Sequence, residues 1–137
     1  MTIQEAVKFV AKRFQYTPET KYILDYWYVM KDHNGVMRGD CDDFAMTCIW
    51  KRCGDSFWKF VWCVLIAHKY RIYFAKTNDG GRHAVGYADG LYFDNFTFKP
   101  LVKDKFLAQT GHKLYFPFPG PVAIFPMLLG LILRNFR

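Results

Sequence analysis

Residues 38–47 read RGDCDDFAMT, and the reading of this stretch decides the fold. Asp40 suits a helix N-cap, because a short carboxylate accepts hydrogen bonds from the free amides of a first helical turn. Behind it, CDDFAMTCIWKRC (41–53) is apolar at Phe44, Ala45, Cys48 and Ile49, basic at Lys51 and Arg52, and is followed by Gly54. Acids at the start, bases at the end and a glycine stop mark one helix, expected to be buried on one face, with Cys41 in its first turn.

Upstream, Thr2 and Glu5 form a capping-box pattern, and Ile3, Ala6, Val7, Val10, Ala11 and Phe14 follow at helical spacing, so the chain begins with an amphipathic helix. Residues 15–39 hold Pro18, the aromatic cluster Tyr26, Trp27 and Tyr28, and the turn HNG, which reads as a loop with room for one helical turn. Downstream the texture changes. The runs FWKFVWCVLIA (57–67), YRIYFA (70–75), HAVGYA (83–88) and LYFDN (91–95) are rich in β-branched and aromatic residues, and HK, TNDGGR and DG separate them. They are expected to be successive strands of an antiparallel sheet. A short helix at VKDKFLAQT (102–110) and a strand at HKLYFPF (112–118) follow. Helices first and strands after define an α+β domain over residues 1–118, in which a buried helix packs on the sheet.

Composition agrees with one folded domain: 137 residues, 52% hydrophobic and 20% aromatic, supply a core. The net charge of +7 suits a nucleic acid, an anionic membrane surface or a cell-wall polymer, and charge alone selects none of them. Cys41, Cys48, Cys53 and Cys63 show neither a CxxC pair nor zinc-finger spacing, so unpaired thiols are expected. Glu5, Lys8 and Lys12 interrupt the N-terminal apolar residues, which argues against a secretory signal and for a cytoplasmic or virion-associated protein.

The helix terminus gives Cys41 a chemical setting. Free amides and the macrodipole favour a thiolate there, and the same amides suit an oxyanion. A lone cysteine in a core helix is more often a small hydrophobe, so partners decide the matter. His83 lies 42 residues after Cys41, and Asp94 lies 11 residues after His83, across the expected ADG hairpin. Asp94 is the choice for orienting the imidazole, with Asn95 as substitute if the register slips by one residue. His33, His68 and His112 read as surface or loop residues, and Cys48, Cys53 and Cys63 as packing.

GDCDDFA (39–45), HAV (83–85) and FDN (93–95) together resemble the three motif blocks of the bacterial transglutaminase-like cysteine peptidases, in the same order. That family belongs to the papain-like and transglutaminase-like group, and small phage-encoded members are part of the resemblance. It implies a Cys–His–Asp triad of Cys41, His83 and Asp94, on a helix packed against an antiparallel sheet. It implies hydrolysis of a peptide or amide bond in a peptide or protein substrate, through a thioester and without a required cofactor. An upstream oxyanion donor is also implied, for which Trp27, His33 and Asn34 are candidates. Several relatives coordinate calcium beside the nucleophile, and Asp40 and Asp42 are the matching positions. The other readings of these acids are a favourable first helical turn, and selection of a basic substrate strand.

Two alternatives stand beside the thiol peptidase: a peptidoglycan amidase or endopeptidase, and a non-catalytic virion or interaction protein that keeps the fold. The tail, residues 119–137, motivates the second. Val122 to Leu133 is uncharged and is followed by Arg134 and Arg137. Pro117, Pro119, Pro121 and Pro126 oppose a regular spanning helix, so residues 122–137 are expected to meet a protein partner, another subunit or a membrane surface. A nucleic acid partner is not expected.

Overall fold

A computed structural model describes residues 1–17 and 29–118, with side chains described as far as residue 114. The aromatic cluster at 26–28, including Trp27, and the tail 119–137 with its partner and membrane readings lie outside the described residues.

Helix α1 (Ile3–Arg13) starts at the expected capping box: Thr2 accepts from the Glu5 amide, and the Glu5 side chain accepts from Thr2. Its buried stripe, Ile3, Ala6, Val7 and Val10, joins the main core with helix α2 (Cys41–Arg52). Asp40 caps α2 as expected, its carboxylate accepting from the Asp42 and Asp43 amides, while Asp43 accepts in return from the Asp40 amide. The helix is buried more completely than one face: every residue from Asp43 to Trp50 is buried, as befits a central element. Its buried hydroxyl is satisfied, Thr47 Oγ1 accepting from the Met30 amide at 2.8 Å.

Between these helices the expected loop contains two short strands, β1 (Phe14–Tyr16) and β2 (Met37–Gly39), paired in parallel. They bring Tyr16 beside Gly39, next to the start of α2. Gly39 is required there: a Cβ would lie 2.7 Å from the Asp43 Cβ and 2.8 Å from the Met30 sulfur.

The run FWKFVWCVLIA is not a strand. It forms the short helix α3 (Phe57–Phe60), capped by Ser56, followed by a π-helical turn, Val61–Ile66. The run is apolar throughout and has no period-two alternation, whereas its buried residues Phe60 and Val64 stand at the helical spacing of four.

The remaining strands match the expectation. β3 (Arg71–Lys76), β4 (Arg82–Ala88), β5 (Leu91–Phe93) and β6 (Lys113–Phe118) form an antiparallel sheet in the order β5-β4-β3-β6, with helix α4 (Lys103–Thr110) before β6. Ala84 and Ala88 of β4 pack in the core with α2, while Val85 packs with Tyr92 and Phe106 on the opposite face. Gly111 ends α4 in the left-handed conformation (φ 69°), which lets the chain reverse into β6. Among the described residues no helix is long and apolar enough to cross a membrane.

Candidate active site

Cys41 is the first residue of α2 and is half-buried. The amides of Asp42 and Asp43 go to Asp40 Oδ1 and that of Phe44 to the Asp40 carbonyl, whereas the Cys41 N–H has no acceptor among the described residues. It is therefore the first-turn donor left for a ligand. The thiol points to Asp42 Oδ1 at 3.7 Å, and the Ala84 amide of β4 favours its anion. Burial first, then the charges of Asp42 and Asp40, push the thiol well above its usual range, and the Ala84 N–H opposes them only in part. Desolvation and two neighbouring carboxylates thus oppose the thiolate that the helix terminus favours.

His83 is the second residue of β4 and is buried. Its Nε2 lies 2.9 Å from Asp94 Oδ2, across the β4–β5 hairpin. Asp94 is fully buried, and its other oxygen accepts from the Phe96 amide (3.1 Å), the Thr97 amide (2.8 Å) and the Thr97 hydroxyl (3.0 Å). Burial alone would raise the carboxyl. Hydrogen bonds from His83, Thr97 and His112, with the charge attraction of His83, outweigh burial and hold it at about 2. The carboxylate is thereby kept ionised to receive an imidazole N–H.

Cys41 and His83 line one cleft of about 540 Å³, together with Phe14, Tyr16, Arg82, Asn95, Phe96 and Phe98. No hydrogen bond joins the thiol to the imidazole; with Nε2 on Asp94, Nδ1 is the nitrogen left for the cleft. Asn95 does not replace Asp94 as the ring's partner. It is buried beside the cleft, and its Oδ1 has no hydrogen-bond partner among the described residues. Asn34 is exposed in the turn closed by His33 and Val36, with φ 54°, and does not line the cleft. That turn, not an oxyanion, accounts for its backbone, and His33 is exposed in the same turn.

At the expected calcium positions one oxygen of Asp40 caps the helix and one of Asp42 faces the Cys41 thiol, and two carboxylates supply part of the six to eight oxygens usual for this ion. Among the described residues the metal-capable group of three is His83, Asp94 and His112, which contains neither acid.

His112 is the residue that sequence reasoning misplaced. It is buried, and its Nε2 lies 2.8 Å from the same Asp94 Oδ2 that meets His83. The signal lies in the register. His83 pairs with Ala75 and Ala75 with Leu114, so His112, two residues before Leu114, shares their face of the sheet. Only the β3–β6 pairing reveals it.

No protein-family model matches the chain, and neither does any curated protein sequence. The fold with its cysteine-headed helix on an antiparallel sheet is transglutaminase-like. Among solved structures the chain is similar to calcium-bound LapG of Legionella pneumophila, with TM-score 0.54 and 19% identity over 86% of this chain and 64% of that one. EGTA-treated LapG gives TM-score 0.53 at 19% identity, over 86% of this chain and 62% of that one. The relationship to LapG, a transglutaminase-like cysteine peptidase, is structural and distant, and the chain spans less than two thirds of LapG.

Proposed function

We propose that the chain is a thiol hydrolase acting on a peptide or amide bond, with Cys41 as nucleophile, His83 as base and Asp94 as the group that orients His83. One observation carries the reading: His83, paired with the buried Asp94, lines the same cleft as Cys41, at the free end of α2. The likeness to LapG supports a peptidase in general.

With burial and the neighbouring carboxylates favouring the neutral thiol, His83 acts as general base during attack. The Cys41 Sγ–carbonyl carbon bond forms as the thiol proton passes to His83 Nδ1, and the carbonyl oxygen, now an anion, accepts from the Cys41 N–H. The tetrahedral centre collapses, the C–N bond breaks, and His83 gives its proton to the departing amine. Water then attacks the thioester, losing its proton to His83. Collapse of that second centre expels the cysteine sulfur, which recovers the proton. Asp94 remains ionised throughout and steadies the imidazolium.

The reading is tested without a known substrate. Cys41 is expected to be alkylated by iodoacetamide at neutral pH in spite of its raised pKa, because His83 takes up the thiol proton, and His83→Ala is expected to slow that alkylation sharply. Cys41→Ala should keep the fold and abolish any hydrolysis. Alkylation of Cys41 that is indifferent to His83→Ala would overturn the proposal.

A further inference from the structure

Asp94 Oδ2 is shared by two imidazoles, and the proposed chemistry uses only one. His83 and His112 approach it at 2.9 and 2.8 Å, and both side chains are almost wholly inaccessible. We propose that His112 is a positioning residue: its Nε2–H, donated to the Asp94 oxygen that also receives His83, fixes that oxygen so that His83 meets it in a single tautomer.

The donor count supports this. A carboxylate has about four lone-pair sites, and a fully buried one loses stability at each site left without a donor. Asp94 Oδ1 takes two amides and a hydroxyl, so the orientation of the group rests on what holds Oδ2. With His83 alone on Oδ2, one lone pair would be open in a site closed to water, and the ring would be free to slide between two acceptor directions. His112 occupies the second direction. His112 is itself held on a built platform. Gly111 turns the chain, the Thr110 hydroxyl accepts from the His112 amide at 3.2 Å, and the rings of Phe106 and Phe96 lie 5.9 and 5.4 Å from its own.

A metal held by His83, Asp94 and His112 is the competing reading, since their ligating atoms lie within 4.8 Å of one another. The far side of His112 decides against it. Its Nδ1 is buried with no hydrogen-bond partner among the described residues. A metal on Nε2 would force the proton onto Nδ1, where metal-bound histidines find an acceptor and the described residues offer none. With the proton on Nε2, Nδ1 carries only a lone pair, which is the milder vacancy.

His112→Gln and His112→Met separate positioning from packing, because Gln places an N–H where Nε2 stood and Met fills similar space without a donor. The inference rests on the proposed role of His83, so it is read in two ways. Nitrogen NMR of the imidazoles should show His83 and His112 as Nε2–H tautomers in the wild type. His83 should keep that form in His112→Gln and become a tautomer mixture in His112→Met. Cys41 alkylation should slow about tenfold in His112→Met and recover most of its rate in His112→Gln. An Nδ1–H tautomer at His112 in the wild type overturns the inference, even if His112→Met fails to fold. So does an equal loss in Gln and Met, or a zinc-dependent rise in wild-type melting temperature that His112→Gln removes. Unreactive Cys41 together with the expected tautomers would instead sink the proposed function and leave the His112 role standing.

Discussion

At the scale of single residues, Asp94 decides how the site responds to acid. Its carboxyl is held at about 2 by His83, Thr97 and His112 against the opposing effect of burial. In the unfolded chain an aspartate titrates near ~3.9. A group depressed on folding stabilises the native state above its unfolded value and loses that contribution as pH falls through its folded value. The window is therefore roughly pH 4 to 2, and the contribution is of order 2 kcal/mol. Asp94→Asn should lower stability at pH 5 and flatten this part of the curve. Urea midpoints at pH 4.5 and 2.5, converted to free energies, should differ by about 2 kcal/mol less in the variant than in wild type. Equal slopes would mean that other carboxylates carry the acid transition.

At the scale of elements, legibility followed locality. The cap of α1, the cap of α2, α4 and the runs of β3, β4 and β5 are written in adjacent residues, and each stands where the sequence placed it. The hairpin register that brings His83 to Asp94 follows from one short turn. Residues 57–66 misled because an unbroken apolar run carries no period, and the Ser56 cap was the better guide. The parallel β1–β2 pair and the place of His112 depend on pairings that no neighbouring residue announces. Gly39 shows how tightly the start of α2 is set: with its hypothetical Cβ 2.7 Å from the Asp43 Cβ, Gly39→Ala must move β2 or the first turn of the helix. The variant should lose about 1–3 kcal/mol, as overpacking does. Because Asp40 and Cys41 move with that turn, Cys41 alkylation should slow as well, measured well below the melting temperature. A stability loss with an unchanged alkylation rate would show that β2, not the helix start, absorbs the strain.

At the scale of the whole molecule, the site is assembled across the sheet. Cys41 belongs to the layer with α1 and α2, which packs on Ala84 and Ala88, whereas His83 alternates with Ala84 and shares a face with Val85, on the side of Tyr92 and Phe106. The proposed nucleophile thus comes from one layer and its proposed base from the other, meeting at the end where β4 begins. Strands β3 and β4 contribute to both clusters, through Ile72 and Ala84 on one side and Ala75 and Val85 on the other. Loss of either layer should therefore melt both. Phe106 is fully buried in the α4 layer, and Trp50, 2% exposed, reports from the α2 layer. Phe106→Ala should cost about 3–5 kcal/mol from lost burial and the cavity left behind. Its urea unfolding, followed by far-ultraviolet circular dichroism and by tryptophan fluorescence, should shift by the same amount in both signals, since a two-state domain gives coincident transitions. A fluorescence midpoint that stays at the wild-type value while the dichroism midpoint falls would mean that the α2 layer stands alone, and that the two halves of the site are held together only by the sheet's edge.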